Sequence, residues 1–357
     1  MKANKKILII AGGTGGHIYP GIAIADYLKA KDFSIIWLGT KQGMENKLIE
    51  NKPYQKAMID ITGVRGKGIL SWLKLPFTLL IACSQCAKVI QQEKPDVVIA
   101  MGGYVSFPGG LMARLMCKPL IVHEQNSIPG LTNKFLALIA TRIYSAFPIK
   151  LMRASQKIGN PVRDSIRKIE KPDKRFKNRK GPLRLLVVGG SLGAKFFNEK
   201  IPLSIKQINP KKRPLIIHQS GEKHYKELKT TYKRCDVKAD CRAYLHDIDK
   251  IYAWADLVIA RSGALTVSEF SAAGIASLLV PFPFAVDNHQ LYNAKYLSDK
   301  KAARLIIQEE LTIEDLRSFI QSLTRDKCLK MAKVALENIA TKPEEVIYRE
   351  CERLIKK

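Results

Sequence analysis

No apolar run in these 357 residues is long enough to cross a bilayer; the longest, LPFTLLIAC from Leu75 to Cys83, is about half a span. Met1 to Lys6 is basic, but ILIIA gives way to glycine after five residues, short of a signal-peptide core. The protein is therefore expected to stay where it is made. Cysteine is equally uninformative as a framework. The seven thiols, at 83, 86, 117, 235, 241, 328 and 351, are odd in number and form no paired zinc-ligand spacing, which excludes a disulfide scaffold and a structural zinc site. Free thiols in a reducing compartment fit that scatter. Cys83-Ser-Gln-Cys86 has redox spacing but sits in an apolar helical stretch, where cysteine serves as a small hydrophobe.

Acidic residues are scarce: 32 Asp and Glu stand against 60 Lys and Arg, a formal net charge of +28. Such a balance attracts polyanions, whether nucleic acid, an anionic membrane face or a phosphorylated substrate, although a well-solvated basic surface would show the same number. No RNA- or DNA-binding motif is present, and the aromatics are not interleaved with Lys and Arg on a strand face, which argues against a nucleic-acid module. Nucleotide signatures are also missing. The glycines at 12, 13, 15 and 16 do not spell GxGxxG, the second apolar run ends in WLGT without a ribose-binding carboxylate, and no GK[ST] follows. Both a nicotinamide cofactor and a Walker loop are thereby disfavoured.

What is present is a repeated alternation. KILIIA (6 to 11), FSIIWLG (33 to 39), PDVVIAMGG (95 to 103), KPLIVHEQ (118 to 125) and TRIYSAF (141 to 147) are short apolar runs bounded by Gly or Pro. With helical periodicity between them, they read as buried parallel strands of a doubly wound α/β domain, residues 1–163. Apolar content collapses over 164–182, which reads as an exposed basic connector. The pattern then restarts with LRLLVVGGSLGA at Leu183, followed by PLIIHQSG, CRAYLH, ADLVIARSG, ASLLVPF and ARLII. This predicts a second such domain over 164–340, helical from about Ile313, with the expected active site in a cleft between the two.

Glycine loops follow the strands at GGTGGH (12 to 17), MGGYVSFPGG (101 to 110) and GGSLGA (189 to 194). Glycine lets the backbone approach a ligand, and the helix expected from about Ile18 presents unpaired N–H groups suited to phosphate. His17 sits at that helix start, a position that disfavours imidazolium and so suits a general base. In ARSGALTVSEFSAAG (260 to 274), Glu269 can accept hydrogen bonds from a ribose diol or simply complement the helix dipole. His289, Gln290 and Asn293 in DNHQLYNA form a cluster able to read sugar hydroxyls. HEQN (123 to 126) and GNPVR (159 to 163) can do likewise, with Arg163 placed to meet a phosphate. Asp247-Ile-Asp249 resembles a metal-binding DxD but precedes an amphipathic segment and reads as a helix cap. Residues 65–90 join basic residues to Trp72, Leu73, Leu75, Phe77 and Leu79, and read equally as a membrane-surface helix or a core helix.

Taken in order, AGGTGGHIYPGIAIA, MGGYVSFPGG, HEQNSIPGLTNK, GNPVR, VVGGSLGA, YAWADLVIARSGALTVSE and DNHQLYNA span nearly the whole chain. Together they resemble the bacterial family 28 glycosyltransferases that add N-acetylglucosamine to undecaprenyl-pyrophosphoryl-N-acetylmuramyl-pentapeptide (lipid I), giving lipid II for peptidoglycan. The resemblance implies a GT-B fold of two Rossmann-like domains, the second holding UDP-N-acetylglucosamine, and a final helix (about 341–357) returning to the first. It implies inverting transfer with no cofactor and no protein-bound metal. His17 is the implied base. Thr14, Gly15, Gly16, Asn126, Arg163, Ser191, Leu245, Ala264, Leu265, Thr266, Val267, Ser268, Glu269 and Gln290 are the implied donor contacts, and Gly103, Tyr104, Glu124 and Asn133 lie on the acceptor side. The implied partners are the donor, the lipid acceptor, an anionic membrane surface at the cytoplasmic face of the inner membrane, and cell-wall synthesis or division proteins, with no nucleic acid. Another GT-B enzyme, a glycolipid transferase or nucleotide-sugar epimerase, shares these features and is the alternative.

Overall fold

A computed structural model describes residues 5–63, 73–190, 193–336 and 342–356. They divide into two compact units, one running to Pro161 and including the C-terminal helix Pro343–Ile355, the other beginning at Val162.

In the first unit the aliphatic runs become β1 (Lys6–Ile10), β2 (Ser34–Thr40), β3 (Gln55–Ile59), β4 (Val97–Ala100), β5 (Leu120–Glu124), β6 (Arg142–Ser145) and β7 (Gln156–Lys157). They pair in parallel in the order β3-β2-β1-β4-β5-β6-β7. Because helices cover both faces, the central strands are apolar throughout: Ile7 to Ile10 and Val97 to Ala100 are fully buried. Trp37 and Tyr54 stack at 6.0 Å in one of the two face cores. The helix Pro343–Ile355 seals that face with Ile347 and Cys351, Tyr348 meeting Phe33 edge-on. Cys86 is buried in the opposite core, its thiol pushed up to about 12 by desolvation, as its apolar surroundings predict.

The second unit repeats the plan with β8 (Arg184–Val188), β9 (Leu215–Gln219), β10 (Asp240–Arg242), β11 (Leu257–Ala260), β12 (Ser277–Leu279) and β13 (Ala303–Leu305), ordered β10-β9-β8-β11-β12-β13. Each sheet thus runs outward in both directions from its first strand. The order reverses between β1 and β4 and again between β8 and β11, and ligands of such sheets bind beyond the carboxyl ends of the strands at that reversal. The four glycine-bearing turns of the sequence follow these four strands.

Residues 164–182 differ from the exposed connector expected. They form short helices, Asp164–Arg167 and Pro172–Phe176, within the second unit, with Ile166, Pro172, Arg175 and Phe176 buried. The basic residues are part of the reason. Arg175 donates to the carbonyls of Ala273 (2.7 Å) and Gly274 (2.5 Å), and Arg179 to those of Ala253, Trp254 and Ala255. These are carbonyls left unpaired at the ends of the helices Ala264–Ala273 and Ile248–Trp254.

Candidate active site

In the first unit the helix after β1 begins at Gly15, earlier than expected, with Thr14 as its extended N-cap residue. The Thr14 side chain makes no capping bond and is exposed, while its carbonyl receives the N–H groups of His17 and Ile18. The Gly15 and Gly16 N–H groups belong to the set of orphan donors that makes a helix start an anion site. His17 is half-buried and rests on the turn after β4. There Gly102 and Gly103 hold φ of +100° and +80°, and side chains would strike neighbours. A Cβ at Gly102 would lie 2.9 Å from His17 Nδ1, and one at Gly103 2.4 Å from the Gly12 carbonyl oxygen. Tyr104 lies half-buried against Gly13.

His17 Nδ1 bonds Gln125 Oε1 at 2.8 Å. Gln125 follows β5 and is fully buried, and within HEQN nothing local distinguishes it. Glu124 and Asn133, expected on the acceptor side, hold the loop between β5 and the helix Leu131–Ile139. Both are buried, and Glu124 accepts from Asn133 Nδ2 (2.9 Å), from the Asn126 N–H (2.8 Å) and from the Gly130 N–H (3.0 Å). A carboxylate saturated in this way sets the position of Asn126, which is itself half-buried.

In the second unit Ser191 lies outside the described residues. The described residues of its loop, Gly189, Gly190 and Gly193, are stitched to the end of β9. Gln219 accepts from the Gly189 N–H (3.2 Å) and donates to the Gly190 carbonyl (2.8 Å), and a Cβ on Gly193 (φ +77°) would fall 1.8 Å from the Ser220 carbonyl oxygen. Leu245 is buried beyond β10. The helix after β11 starts at Ala264. Ala264 and Val267 are buried, so they can offer only main chain to a ligand, while Leu265, Thr266, Ser268 and Glu269 are half-buried. The Val267 N–H already bonds Gly263, and those of Ala264, Leu265 and Thr266 precede it in the first turn.

Arg163, expected beside a phosphate on the first domain, belongs to the second unit, and its Nη2 meets Glu269 Oε1 at 2.8 Å. Tyr252 donates to Glu269 Oε2 at 3.3 Å. Burial raises the Glu269 carboxyl above its ordinary value, Arg163 and Tyr252 offsetting part of the shift. Burial works against the Arg163 charge, but Glu269 outweighs it and holds the guanidinium above its usual range. Tyr252, like Gln125 and Gln219, was not predicted, for its role depends on a tertiary contact that spacing does not encode.

The 287–294 cluster divides in two. Asn293 is fully buried and donates to the Ser262 carbonyl (3.3 Å), while Ser262 Oγ donates to that of Gln290 (2.8 Å), so these bonds tie two turns together. Gln290 Oε1 accepts from the Phe282 N–H at 3.0 Å, and His289 Nδ1 donates to the Val286 carbonyl at 2.7 Å. Asp247 stands at the N-cap position of the helix Ile248–Trp254 as expected, though its carboxylate pairs with Lys250 (3.6 Å) instead of capping. Among the described residues no group of three or more His, Cys, Asp or Glu is gathered as a metal site.

Family comparison matches the glycosyltransferase family 28 N-terminal domain over residues 7–145 and its C-terminal domain over 184–347. The chain belongs to glycosyltransferase family 28. Among its relatives, the UDP-N-acetylglucosamine--N-acetylmuramyl-(pentapeptide) pyrophosphoryl-undecaprenol N-acetylglucosamine transferase of Nitrosospira multiformis is 48% identical over 93% of both chains. The enzyme of the same name from an Azoarcus species is 46% identical over 98% of both. The crystal structure of Acinetobacter baumannii MurG superposes with a TM-score of 0.87 at 34% identity, covering 98% of this chain and 99% of that one. The two parallel sheets are accordingly the Rossmann-like halves of a GT-B glycosyltransferase. The candidate residues fall into two groups, those on the loops after β1, β4 and β5 in the first unit and those on the loops after β8 and β11 in the second.

Proposed function

We propose that this chain transfers N-acetylglucosamine from UDP-N-acetylglucosamine to the C4 hydroxyl of undecaprenyl-pyrophosphoryl-N-acetylmuramyl-pentapeptide, with inversion at the anomeric carbon. The observation that carries this reading is the near-full-length identity to transferases named for that reaction. The site chemistry agrees with it. Glu269 is an acceptor for the ribose diol, and the N–H groups at Ala264 to Thr266, at the helix start, suit a diphosphate. His17 accepts the proton of the attacking hydroxyl. The new C–O bond forms as the anomeric C–O bond to the diphosphate breaks, and UDP departs with the electron pair, its charge met by helix N-termini.

The test is UDP release from UDP-N-acetylglucosamine with and without a soluble short-chain analogue of the lipid acceptor. Release only with the analogue, together with a disaccharide product, is expected. Equal release without it would replace the transferase reading by an epimerase or hydrolase.

Glu269 gives this reading a pH signature. A carboxyl raised by burial protonates earlier on acidification than an ordinary glutamate, and the protonated form loses an acceptor for the ribose. Donor KM should therefore rise as pH falls through that raised value and be flat above it. Glu269→Gln should raise donor KM about 10- to 100-fold, the range for a hydrogen bond to a charged group, and remove that acid-side pH dependence. Matching KM profiles for the two proteins would remove the ribose role.

The same reading places the chain on an anionic membrane surface. No described helix is long and apolar enough to cross a membrane. Yet the first unit exposes Leu73, Phe77 (71%) and Leu80 (69%) at and within the helix Leu75–Glu93, Leu115 on Ser106–Leu115, and Leu131 and Phe135 on Leu131–Ile139. Lys74, Arg114 and Lys134 stand among them in sequence. Apolar side chains fringed by cations suit an anionic interface. Part of the 65–90 segment, residues 65–72 with Trp72, lies outside the described residues. Phe77→Asp with Leu80→Asp should lower co-sedimentation with phosphatidylglycerol vesicles at least about tenfold, since each buried side chain contributes about 1.5–3 kcal/mol. Undiminished binding would move the contact elsewhere.

A further inference from the structure

Behind His17 runs a buried chain of three hydrogen-bonding groups ending on the main chain. His17 Nδ1 meets Gln125 Oε1 at 2.8 Å, Gln125 Nε2 meets His123 Nδ1 at 3.1 Å, and His123 Nε2 meets the Gly159 carbonyl oxygen at 2.9 Å. His123 and Gln125 are both fully buried, and Asn160 Nδ2 holds the Gln125 carbonyl at 3.0 Å. The direction of the chain is fixed by two carbonyls, which only accept. Gly159 O requires the proton of His123 on Nε2, so Nδ1 of that ring is an acceptor. The carbonyl of His123 lies 3.0 Å from Gln125 Nε2, which fixes the amide nitrogen on that side and its oxygen toward His17. Burial drives the His123 pKa down to about 4, so the ring is neutral and its single proton remains on Nε2.

We infer that His123 and Gln125 are positioning residues that hold the proton of neutral His17 on Nδ1, leaving Nε2 bare to accept the proton of the incoming hydroxyl. Gln125 Oε1 has no hydrogen to give, so the 2.8 Å contact exists only if His17 Nδ1 is a donor. A free histidine side chain prefers the opposite tautomer, with the proton on Nε2, and in that form the nitrogen away from Gln125 would have no lone pair to use. The lock therefore reverses the intrinsic preference. It also differs from the familiar Asp–His pairing in using a neutral amide, which orients the imidazole without a carboxylate favouring its protonated form. Gly102 completes the constraint, because the absence of a side chain there leaves room for the ring edge that carries Nδ1.

This inference rests on His17 as the base, and its test separates the two. In long-range 1H–15N spectra of the full-length protein labelled at its six histidines, with signals assigned through single His→Asn variants, wild-type His17 should show Nδ1 protonated and Nε2 bare, and His123 the reverse. Gln125→Met, which keeps length but removes both amide groups, should convert His17 toward the Nε2–H form. It should also lower kcat by about 10- to 10³-fold, bounded above by the roughly 10⁴-fold loss when a catalytic histidine is left in the wrong tautomer, with donor KM within about twofold. A wild-type His17 protonated on Nε2 overturns the proposal, as does unchanged kcat in a Gln125→Met protein whose His17 has switched. If His17→Ala instead turned over normally, the base assignment would fail while the tautomer spectrum stood.

Discussion

His17→Ala is expected to lower kcat for transfer by about 10²- to 10⁴-fold, the usual contribution of a positioned general base, while donor KM stays within about threefold. The split follows from where the residue sits. His17 belongs to the loop after β1 in the first unit, whereas Glu269 and the helix start at Ala264 belong to the second, so removing the imidazole leaves the proposed donor contacts in place. The fold should tolerate the change. The ring is half-buried, and the helix starts through the Thr14 carbonyl, which alanine at position 17 still engages. The partner left behind is Gln125 Oε1, and a water in the vacated volume can donate to it. Thermal unfolding and donor binding, measured beside turnover, separate loss of chemistry from loss of structure. A His17→Ala enzyme with near-normal kcat would show that the imidazole positions the acceptor or nothing at all.

Strands with fully buried runs, such as Ile7 to Ile10 and Leu257 to Ala260, could be read from residue order alone, because a parallel strand covered on both faces must be apolar throughout. β3 could not. Its sequence QKAMI puts two exposed polar residues first on an edge strand, and nothing local distinguishes it from a loop. Likewise the glycine turns announced themselves, since φ of +100° at Gly102 or +77° at Gly193 restricts the residue type. The groups that orient the site did not: Gln125, Gln219 and Tyr252 are ordinary residues until the fold brings a histidine, a glycine loop or a glutamate to them. Glu124 and Asn133 show the converse. Their residue types suggest ligand contacts, but both side chains are buried, and Asn133 Nδ2 donates to the Glu124 carboxylate. Arginine density misled in the same manner over 164–182, where composition resembles a solvated linker and the guanidinium groups are in fact bonded to carbonyls.

That segment also contains the basis for the largest stability effect. Asp256, just before β11, has no exposed side chain, and it accepts from Arg179 Nη1 at 2.5 Å, from the Arg184 N–H at 3.0 Å and from Arg325 Nε at 3.3 Å. Asp256→Ala leaves two guanidinium groups without their counter-ion. Arg179 is the more costly of the two, because its side chain is only 8% exposed and lies over the Phe176 ring at 4.9 Å, away from water. Removing one partner of such a buried pair costs about 3–5 kcal/mol, far more than the pair's net worth, because the remaining charge is not resolvated. At about 2–4 °C per kcal/mol for a unit of this size, the second unit's melting transition should fall by roughly 6–20 °C. UDP identifies that transition, since a ligand raises the midpoint of the unit that binds it. Asp256→Asn should fall between the wild type and alanine: it keeps an acceptor for the Arg184 N–H but no charge for the arginines. A fall of less than about 2 °C for Asp256→Ala would mean that the carbonyls at 253 to 255 hold Arg179 without help. The 164–182 segment would then be anchored by helix capping, and its ion pair would be incidental.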